Sequence, residues 1–332
     1  MKAKSIRFLP VEKLTFLYMS ITSLVILLLL PGPQVVFALL GKRFLFLLVI
    51  FGLSYLSSIK SNWTIKFLRY AFIGGLLIYW YPETYDINRL ISNRDYWLAG
   101  IEQHIFGFQP ALLFNKLYPQ HWIAEIMNLG YLSYYPLIIC TSIYFYFKDR
   151  KYFKYFFFVV LFSFFCYYLI FNLFPAAGPQ YYYQAIGLEN ASSGIFPRIG
   201  LYFSNHKELQ SMDDSGFFSR LVQNTQMVGE RPTAAFPSSH VGISTLILIL
   251  LLKNRRYLYL ACITPLYVAL VGATVYIQAH YVIDVVAGFV TAFLFYYAGS
   301  LACGQFTYRI IRIPWLRKAV VEEPLELGKP AE

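Results

Sequence analysis

Two histidines and one aspartate stand at the edges of long apolar stretches. His240 follows two serines where residues 236–252 become almost continuously apolar, and His280 and Asp284 lie at the start of the last stretch. His280 and Asp284 are four residues apart, so on a helix they share one face, and the carboxylate could bond one ring nitrogen and leave the other free. Ionisable groups in apolar spans are costly and usually functional. The pattern predicts a catalytic cluster of His240, His280 and Asp284.

The segment before His240 also suits a bound phosphate. Residues 231–240 read R-P-T-A-A-F-P-S-S-H, and Pro and Ser are typical of helix starts. A helix N-terminus presents unpaired N–H groups, so the hydroxyls of Ser238 and Ser239 would add donors beside His240. Arg231 is the candidate phosphate clamp. The alternatives are a plain helix cap for the serines and an exposed loop position for Arg231.

Membrane helices must position these residues. The chain has 332 residues, of which 58% are hydrophobic and 14% charged, against roughly 25% charged in an average soluble domain. A stretch of about 17 to 25 apolar residues crosses a hydrocarbon core of about 30 Å as a helix. Eight such spans are predicted: 14–31, 44–59, 66–82, 122–147, 155–174, 236–252, 257–275 and 282–303. The second is short and could instead be a re-entrant or interfacial segment.

The predicted fold class is therefore all-α, a polytopic membrane helix bundle of about eight transmembrane helices. Its predicted parts are an N-terminal transmembrane extension (1–65), a six-helix catalytic core (66–305) with extracytoplasmic segments 83–121 and 175–235, and a cytoplasmic tail (306–332).

The net charge is +11, and the Lys and Arg residues lie in short clusters between the apolar stretches, which is typical of membrane proteins. Nucleic acid is therefore not expected as a partner. Lys and Arg near span ends stay on the cytoplasmic side. The basic clusters within 60–69, 148–154, 253–256 and 309–318 all agree with a cytoplasmic N-terminus, and only the predicted short loop with Lys42 and Arg43 disagrees. The catalytic cluster then faces the extracytoplasmic or lumenal side of a bacterial inner membrane or a Golgi-type membrane.

Residues 95–108 mix apolar, aromatic and charged side chains at helical spacing. This pattern predicts an amphipathic helix on the membrane surface. Such a helix could serve packing alone or could shape the entrance for a lipid.

The motifs resemble those of the type 2 phosphatidic acid phosphatase superfamily, written K-x6-R-P, P-S-G-H and S-R-x5-H-x3-D. Residues 237–240, P-S-S-H, look like the second motif, and H-x3-D at 280–284 looks like the third. The resemblance covers roughly the last six spans. It implies that His280 is the nucleophile that takes the phosphoryl group, that Asp284 orients it, and that His240 protonates the leaving oxygen. It implies no metal and no cofactor.

The chain also departs from the phosphatase pattern. Ala273 and Thr274 stand where the phosphatases have Ser-Arg, and Asn224 stands at the Lys position seven residues before Arg231. A site with fewer cations binds a dianionic phosphomonoester less well. The departures favour a phosphodiester substrate.

Softer similarities point to the inositol phosphorylceramide synthases and related membrane inositol phosphotransferases. They are T-V-Y at 274–276, F-P-A-A-G-P-Q-Y-Y at 174–182, and two extra N-terminal spans. The resemblance implies substrate-binding roles for Pro179, Tyr181 and Tyr276. For the 174–182 run, the alternative is a span end with an interfacial aromatic belt.

The expected activity is transfer of phosphoinositol from phosphatidylinositol to a lipid hydroxyl such as that of ceramide, through a phosphohistidine. One alternative is a lipid phosphatase acting on phosphatidate, a polyprenyl diphosphate or lipid A. Another is a non-enzymatic transporter with a His/Asp proton relay, against which the position of the three residues at span ends counts. The expected partners are a phospholipid donor and a lipid acceptor in the membrane, without an obligate protein partner.

Overall fold

A computed structural model describes residues 6–60, 62–207, 209 and 216–306. Within these ranges the regular structure is helical, and a lone parallel bridge joins Ala176 to Ala234. The all-α polytopic membrane bundle predicted from the sequence is confirmed.

The helices are, in chain order, α1 (Pro10–Leu29), α2 (Pro33–Ile59), α3 (Trp63–Asn88), α4 (Asp95–Phe106), α5 (Pro110–Leu117), α6 (His121–Leu132), α7 (Tyr134–Lys148), α8 (Arg150–Leu173), α9 (Pro179–Ile186), α10 (Leu188–Ser192), α11 (Phe217–Gly229), α12 (Ser239–Lys253), α13 (Tyr257–Tyr276) and α14 (Val282–Phe306).

Every stretch predicted as a span coincides with one of these helices or, for 122–147, with the pair α6 and α7. Five helices are long and apolar enough to cross a membrane, namely α1, α2, α8, α13 and α14, and there are six spans if α6 and α7 form one. The uncertain stretch 44–59 is thus part of a 27-residue helix. Of the other two, α12 has only 15 residues and α3 carries several charges.

The break between α6 and α7 has a local cause. The two helices meet at 44° around Ser133, three residues before Pro136. Proline has no N–H to donate, and its ring clashes with the carbonyl four residues earlier, here that of Leu132. The bend therefore falls at the carbonyl that Pro136 displaces.

The aromatic helix α8 lies in the centre of the bundle, where it packs against α3, α7, α12 and α14. Phe156, Phe158, Tyr167 and Phe171 are fully buried on it. The start of α12 also touches α14, because a Cβ added at Gly288 would overlap the carbonyl oxygen of Ser238. This close approach brings the candidate catalytic segments together.

The dissenting pair Lys42 and Arg43 lies inside α2, so its prediction as a short loop is wrong. Arg43 is buried and forms an ion pair with Glu83 of α3 at 2.6 Å. It also donates to the carbonyl of Met19 on α1 at 2.8 Å. A buried, paired arginine carries no topology information, which explains why it disagreed with the exposed clusters. A second buried pair, Arg69 and Glu12 at 2.5 Å, joins α3 to α1.

The exposed basic turns lie at one end of the bundle. Arg256, before α13, approaches Asp149, before α8, at 3.9 Å, so the turns within 148–154 and 253–256 are neighbours. His240 lies at the opposite end of α12. The fourth cluster, within 309–318, and the predicted tail from residue 307 onward lie outside the described residues.

Helix α4 confirms the helix predicted from residue 95, and it is amphipathic with its acidic side chains inside the protein. Asp95 and Glu102 are fully buried, whereas Trp97 and Ile105 are 51% and 58% exposed. The acidic face points into the protein because backbone N–H groups there need acceptors. Packing, the simpler of the two explanations, accounts for this face of the helix.

Candidate active site

The structure brings the two histidines into contact. Nε2 of His280 lies 3.3 Å from Nδ1 of His240. On the other side of the His280 ring, Oδ2 of Asp284 lies 3.6 Å from Nδ1. The three residues predicted from the sequence therefore form one cluster at one end of α12 and α14.

A backbone carbonyl fixes the His280 ring. Nδ1 of His280 lies 2.8 Å from the carbonyl oxygen of Ala235, which can only accept a hydrogen bond. The proton of the neutral ring therefore sits on Nδ1, and Nε2 keeps its lone pair for an electrophile. Burial lowers the pKa of His280 to about 4, against the opposing effects of the Ala235 carbonyl and Glu230. At neutral pH the imidazole is uncharged and nucleophilic at Nε2.

The four-residue spacing suggests that His280 and Asp284 share a helix face, but in the structure they do not. Helix α14 begins at Val282, so His280 lies in the preceding turn and only Asp284 is helical. The carboxylate accepts a hydrogen bond from the backbone N–H of Tyr281 at 2.9 Å and so caps the helix. Because of this capping bond, α14 begins after His280 and does not include it. The two side chains still meet, through the turn.

Backbone bonds hold the two motif segments against a third loop, residues 174–178. The N–H of Ala235 donates to the carbonyl of Ala176 at 2.9 Å, and the N–H of Ser238 donates to that of Asp284 at 3.0 Å. Gly178 has a φ of 88°, and a Cβ on it would lie 2.5 Å from the carbonyl oxygen of Ala279. A residue with a side chain there would push the loop away from the turn that carries His280.

Residues 96–298, more than half of the chain, match the PAP2 superfamily, whose members include the type 2 phosphatidic acid phosphatases. The chain belongs to the PAP2 superfamily. No curated protein and no solved structure matches it. Membership indicates lipid phosphatase or phosphotransferase chemistry, and the matched range contains His240, His280 and Asp284. It begins within α4, so α1, α2 and α3 of this PAP2 protein lie before it.

Two tyrosines enclose His240. Its ring stacks on Tyr131 with centroids 4.8 Å apart and lies 4.3 Å from the ring of Tyr134. These rings leave His240 few rotamers, and they hold its Nδ1 toward His280. The sequence showed the tyrosines only as part of an apolar span.

The three residues predicted to bind phosphate, namely Ser238, Ser239 and Arg231, differ in their hydrogen bonds in the PAP2 protein. Ser238 is fully buried and its hydroxyl accepts from the N–H of Val241 at 3.4 Å, so it caps α12. Ser239 is the first residue of that helix. Arg231 is half-buried and donates to the carbonyl of Glu230 at 2.6 Å. The structure thus assigns Ser238 the cap that was its alternative role.

Of the three residues predicted to bind substrate, Pro179 and Tyr181 lie on α9 and Tyr276 lies at the end of α13. Pro179 begins α9 directly after Gly178. Tyr181 is buried and packs edge-on against Phe203, with centroids 6.1 Å apart. Tyr276 lies in the wall of a cavity described below.

Two acidic residues that sequence reasoning missed brace the site of this PAP2 protein. Asp95 accepts hydrogen bonds from the N–H groups of Ala177 at 2.6 Å and Gly178 at 2.8 Å. It also accepts from the hydroxyl of Tyr281 at 3.1 Å. One carboxylate therefore joins the 174–178 loop to the segment that carries His280.

Glu102 holds the start of α14. Its carboxylate accepts from the N–H of Val282 and, at 3.2 Å, from that of Ile283. Burial raises the pKa of Glu102 to about 7; the N–H of Ile283 acts against this rise, and the nearby Asp284 adds to it. The sequence did hold a signal, because Asp95 and Glu102 are seven residues apart and so share a helix face.

A third missed acid, Glu230, lies beside the histidines. It accepts from the hydroxyl of Tyr131 and, at 2.7 Å, from the amide of Gln180. Among the residues that the structure describes, no group of three or more His, Cys, Asp or Glu side chains could hold a metal ion.

Proposed function

We propose that this PAP2 protein is a membrane phosphotransferase that moves the phospho-head group of a phosphodiester lipid to a lipid hydroxyl through phosphorylated His280. The orientation of the His280 ring carries the proposal. Its Nδ1 proton is bonded to the Ala235 carbonyl and its Nε2 lone pair faces His240. A neutral imidazole with one nitrogen anchored and the other facing a second imidazole suits nucleophilic attack with an adjacent acid.

The first half of the reaction begins when a donor phosphate separates the two imidazoles. Nε2 of His280 forms a bond to phosphorus while the bond from phosphorus to the diacylglycerol oxygen breaks. The negative charge of the donor phosphate favours the protonated form of His240, which gives its proton to that oxygen. Asp284, 3.6 Å from Nδ1, stabilises the positive charge that develops on the His280 ring.

The second half runs in reverse with another hydroxyl. The acceptor oxygen loses its proton to His240 and bonds to phosphorus, and the bond from phosphorus to Nε2 breaks. Each group then has its starting protonation state. With ceramide as acceptor and phosphatidylinositol as donor, the product is inositol phosphorylceramide.

The electrostatics around the site favour a phosphodiester. Thr274, where the phosphatases have Arg, is fully buried and its hydroxyl donates to the carbonyl of Val271 at 2.8 Å. The carboxylate of Glu230 lies close enough to affect the pKa of His280. A dianionic monoester gains less there than in a site lined by Arg and Lys, whereas a diester carries one negative charge.

A lipid phosphatase that acts on phosphatidate, a polyprenyl diphosphate or lipid A is the alternative, with Arg231 as the clamp. A transporter with a His/Asp relay fits less well, because His240 and Asp284 lie in the first turns of their helices instead of mid-span. We further propose that the site faces the extracytoplasmic or lumenal side, because the basic turns lie at the opposite end.

The test uses the purified full chain in detergent with head-group-labelled phosphatidylinositol, with and without ceramide, and in parallel labelled phosphatidate. We expect a labelled lipid that forms only with ceramide, and His280→Ala to reduce its formation by at least about 10³-fold. Without acceptor, label should accumulate on the wild-type protein.

The matched control is His206→Ala, which removes an exposed histidine stacked on Tyr202 and should keep wild-type activity. Free phosphate from phosphatidate with no ceramide-dependent product would favour the phosphatase. Full transfer by His280→Ala would refute both enzymatic mechanisms.

A further inference from the structure

A cavity of ≈ 720 Å³ lies beside the catalytic turn, between α5, α6, α10, α11 and residues 276–278. Its volume is within the range of about 300–1,000 Å³ that is typical of small-molecule sites. The His280 turn starts in its wall, at Gln278. None of the three catalytic residues lines it, so it is a separate compartment next to the reacting atoms.

Carboxamides dominate the polar lining of this cavity. They come from four helices, α5, α6, α9 and α11, and from the turn before His280: Asn115, Asn128, Gln180, Gln223, Gln226 and Gln278. Each amide offers both a donor and an acceptor, as an alcohol does, so such a lining matches hydroxyl groups.

Charge and aromatic content argue against other head groups. The charged lining residues Lys116 and Glu189 have opposite signs, and no arginine lies among the described lining residues. A terminal phosphate is best bound by arginine. Recognition of a quaternary ammonium uses a cage of aromatic rings, and Tyr276 is the one Phe, Tyr or Trp side chain in the described lining.

Two features distinguish this lining from an ordinary packed wall. Oδ1 of Asn115 is a buried acceptor without a hydrogen-bond partner in the part of the chain that the structure describes. Gln278 has a φ of 62°, a left-handed conformation that non-glycine residues rarely adopt. Such conformations cluster at functional sites because the surrounding structure must hold them there.

Hydrogen bonds connect the cavity wall to the histidines. The amide of Gln226 donates to Oε1 of Gln180 at 3.1 Å and to Glu230 at 3.2 Å. Glu230 in turn accepts from Tyr131, whose ring stacks on His240. A head group in the cavity would therefore contact side chains that are joined, through Glu230 and Tyr131, to the ring stacked on His240.

We infer that this cavity binds the uncharged, polyhydroxylated head group of the phosphodiester donor, such as an inositol ring. The inference rests on the proposed function, because it is the donor phosphate at His280 that places the head group there. It assigns head-group selectivity to Asn115 and Gln226, neither of which takes part in the chemistry.

The test measures binding without turnover. Full-length His280→Ala protein in detergent is titrated calorimetrically with dioctanoyl phosphatidylinositol and with dioctanoyl phosphatidylcholine. We expect phosphatidylinositol to bind at least about tenfold more tightly, a difference of about 1.4 kcal/mol, because phosphatidylcholine cannot make the hydroxyl hydrogen bonds.

Asn115→Leu and Gln226→Leu, each added to that protein, should weaken phosphatidylinositol binding by about tenfold and leave phosphatidylcholine binding unchanged. Asn224→Leu is the matched control, because Asn224 is exposed on the same helix α11 and does not line the cavity. Equal affinity for the two lipids, or no effect of both cavity variants, would overturn the inference.

Turnover of the same lipids by the wild-type protein separates this inference from the proposed function. Transfer from both lipids at equal rates would leave the function standing and overturn the head-group site. Selective binding of phosphatidylinositol without any turnover would support the site and overturn the proposed function.

Discussion

Replacing Asp95 by Asn should loosen the whole catalytic end of the protein. The Asp95 carboxylate is fully buried and is surrounded by donors, namely two backbone N–H groups, the hydroxyl of Tyr281 and the amide of Asn93. Burial raises the pKa of Asp95, while these hydrogen bonds oppose that rise because they favour the ionised form. Asparagine has nearly the same shape but one acceptor oxygen and two N–H donors.

The cost follows from the donors that lose their acceptor. If the amide oxygen of the variant faces Gly178 and Tyr281, its NH₂ group faces the N–H of Ala177 and the amide of Asn93. Two buried donors are then unsatisfied, at about 1–3 kcal/mol each, and two charge-assisted bonds become neutral. We expect the free energy of unfolding to fall by about 3–5 kcal/mol.

The assay is thermal unfolding of the purified protein in detergent, together with the transfer rate. At about 2 °C per kcal/mol for a chain of this size, the Tm should fall by at least roughly 6 °C. The transfer rate should fall as well, because the 174–178 loop no longer holds the turn that carries His280. Asp86→Asn is the control, since it makes the same change at a half-buried acid on α3. If Asp95→Asn and Asp86→Asn unfolded at the same temperature, the bracing role of Asp95 would be refuted.

Two further perturbations concern the other buried acids. The pKa of Glu102 is raised to about 7 from an ordinary value near 4.5, so the native state holds this proton more tightly than the unfolded state. The stability that Glu102 contributes is therefore lost as the pH rises from about 4.5 to 7. Glu102→Gln should remove this pH dependence of the free energy of unfolding, which is on the order of 3 kcal/mol over that window. Unfolding curves measured from pH 4 to 8 check this, with the exposed Glu189→Gln as control, and identical curves for wild type and Glu102→Gln would contradict it. Arg43→Met leaves Glu83 buried without its partner and should lower the free energy of unfolding by about 3–5 kcal/mol, whereas Arg43→Met combined with Glu83→Leu should recover most of that stability. Unfolding in denaturing detergent measures both variants, and an equal loss of stability in the two would argue against the ion pair.

The sequence predicted the helices well, and it singled out three residues that the structure brings together, because both depend on strong local signals. An uninterrupted apolar stretch has few structures open to it other than a buried helix, so the predicted limits agree with α8, α13 and α14 within a few residues. His240, His280 and Asp284 stand out because ionisable groups are rare where the chain is otherwise apolar.

The remaining parts of the site depend on contacts between distant segments. The partner of Nδ1 on His280 is the carbonyl of Ala235, and every residue has a carbonyl, so no residue type marks it. The sequence predicted an amphipathic helix that contains Asp95 and Glu102, but amphipathicity alone does not tell which face meets water. Both carboxylates are buried because backbone N–H groups in the segments after α8 and α13 need acceptors, which Asp95 and Glu102 supply.

The buried pairs of the N-terminal helices also constrain how the chain enters a membrane. An unpaired Arg or Glu near the middle of a span opposes insertion by about 2.5–3.5 kcal/mol. Arg43 lies in the interior of α2 and meets that barrier if α2 inserts alone, whereas its ion pair with Glu83, near the end of α3, can form if the two helices insert as a hairpin. A truncated chain that starts after α2 would expose both Glu83 and Arg69 to lipid, since their partners Arg43 and Glu12 would be gone. We therefore expect α1 and α2 to be needed for α3, the third helix before the matched PAP2 range, to sit in the bilayer.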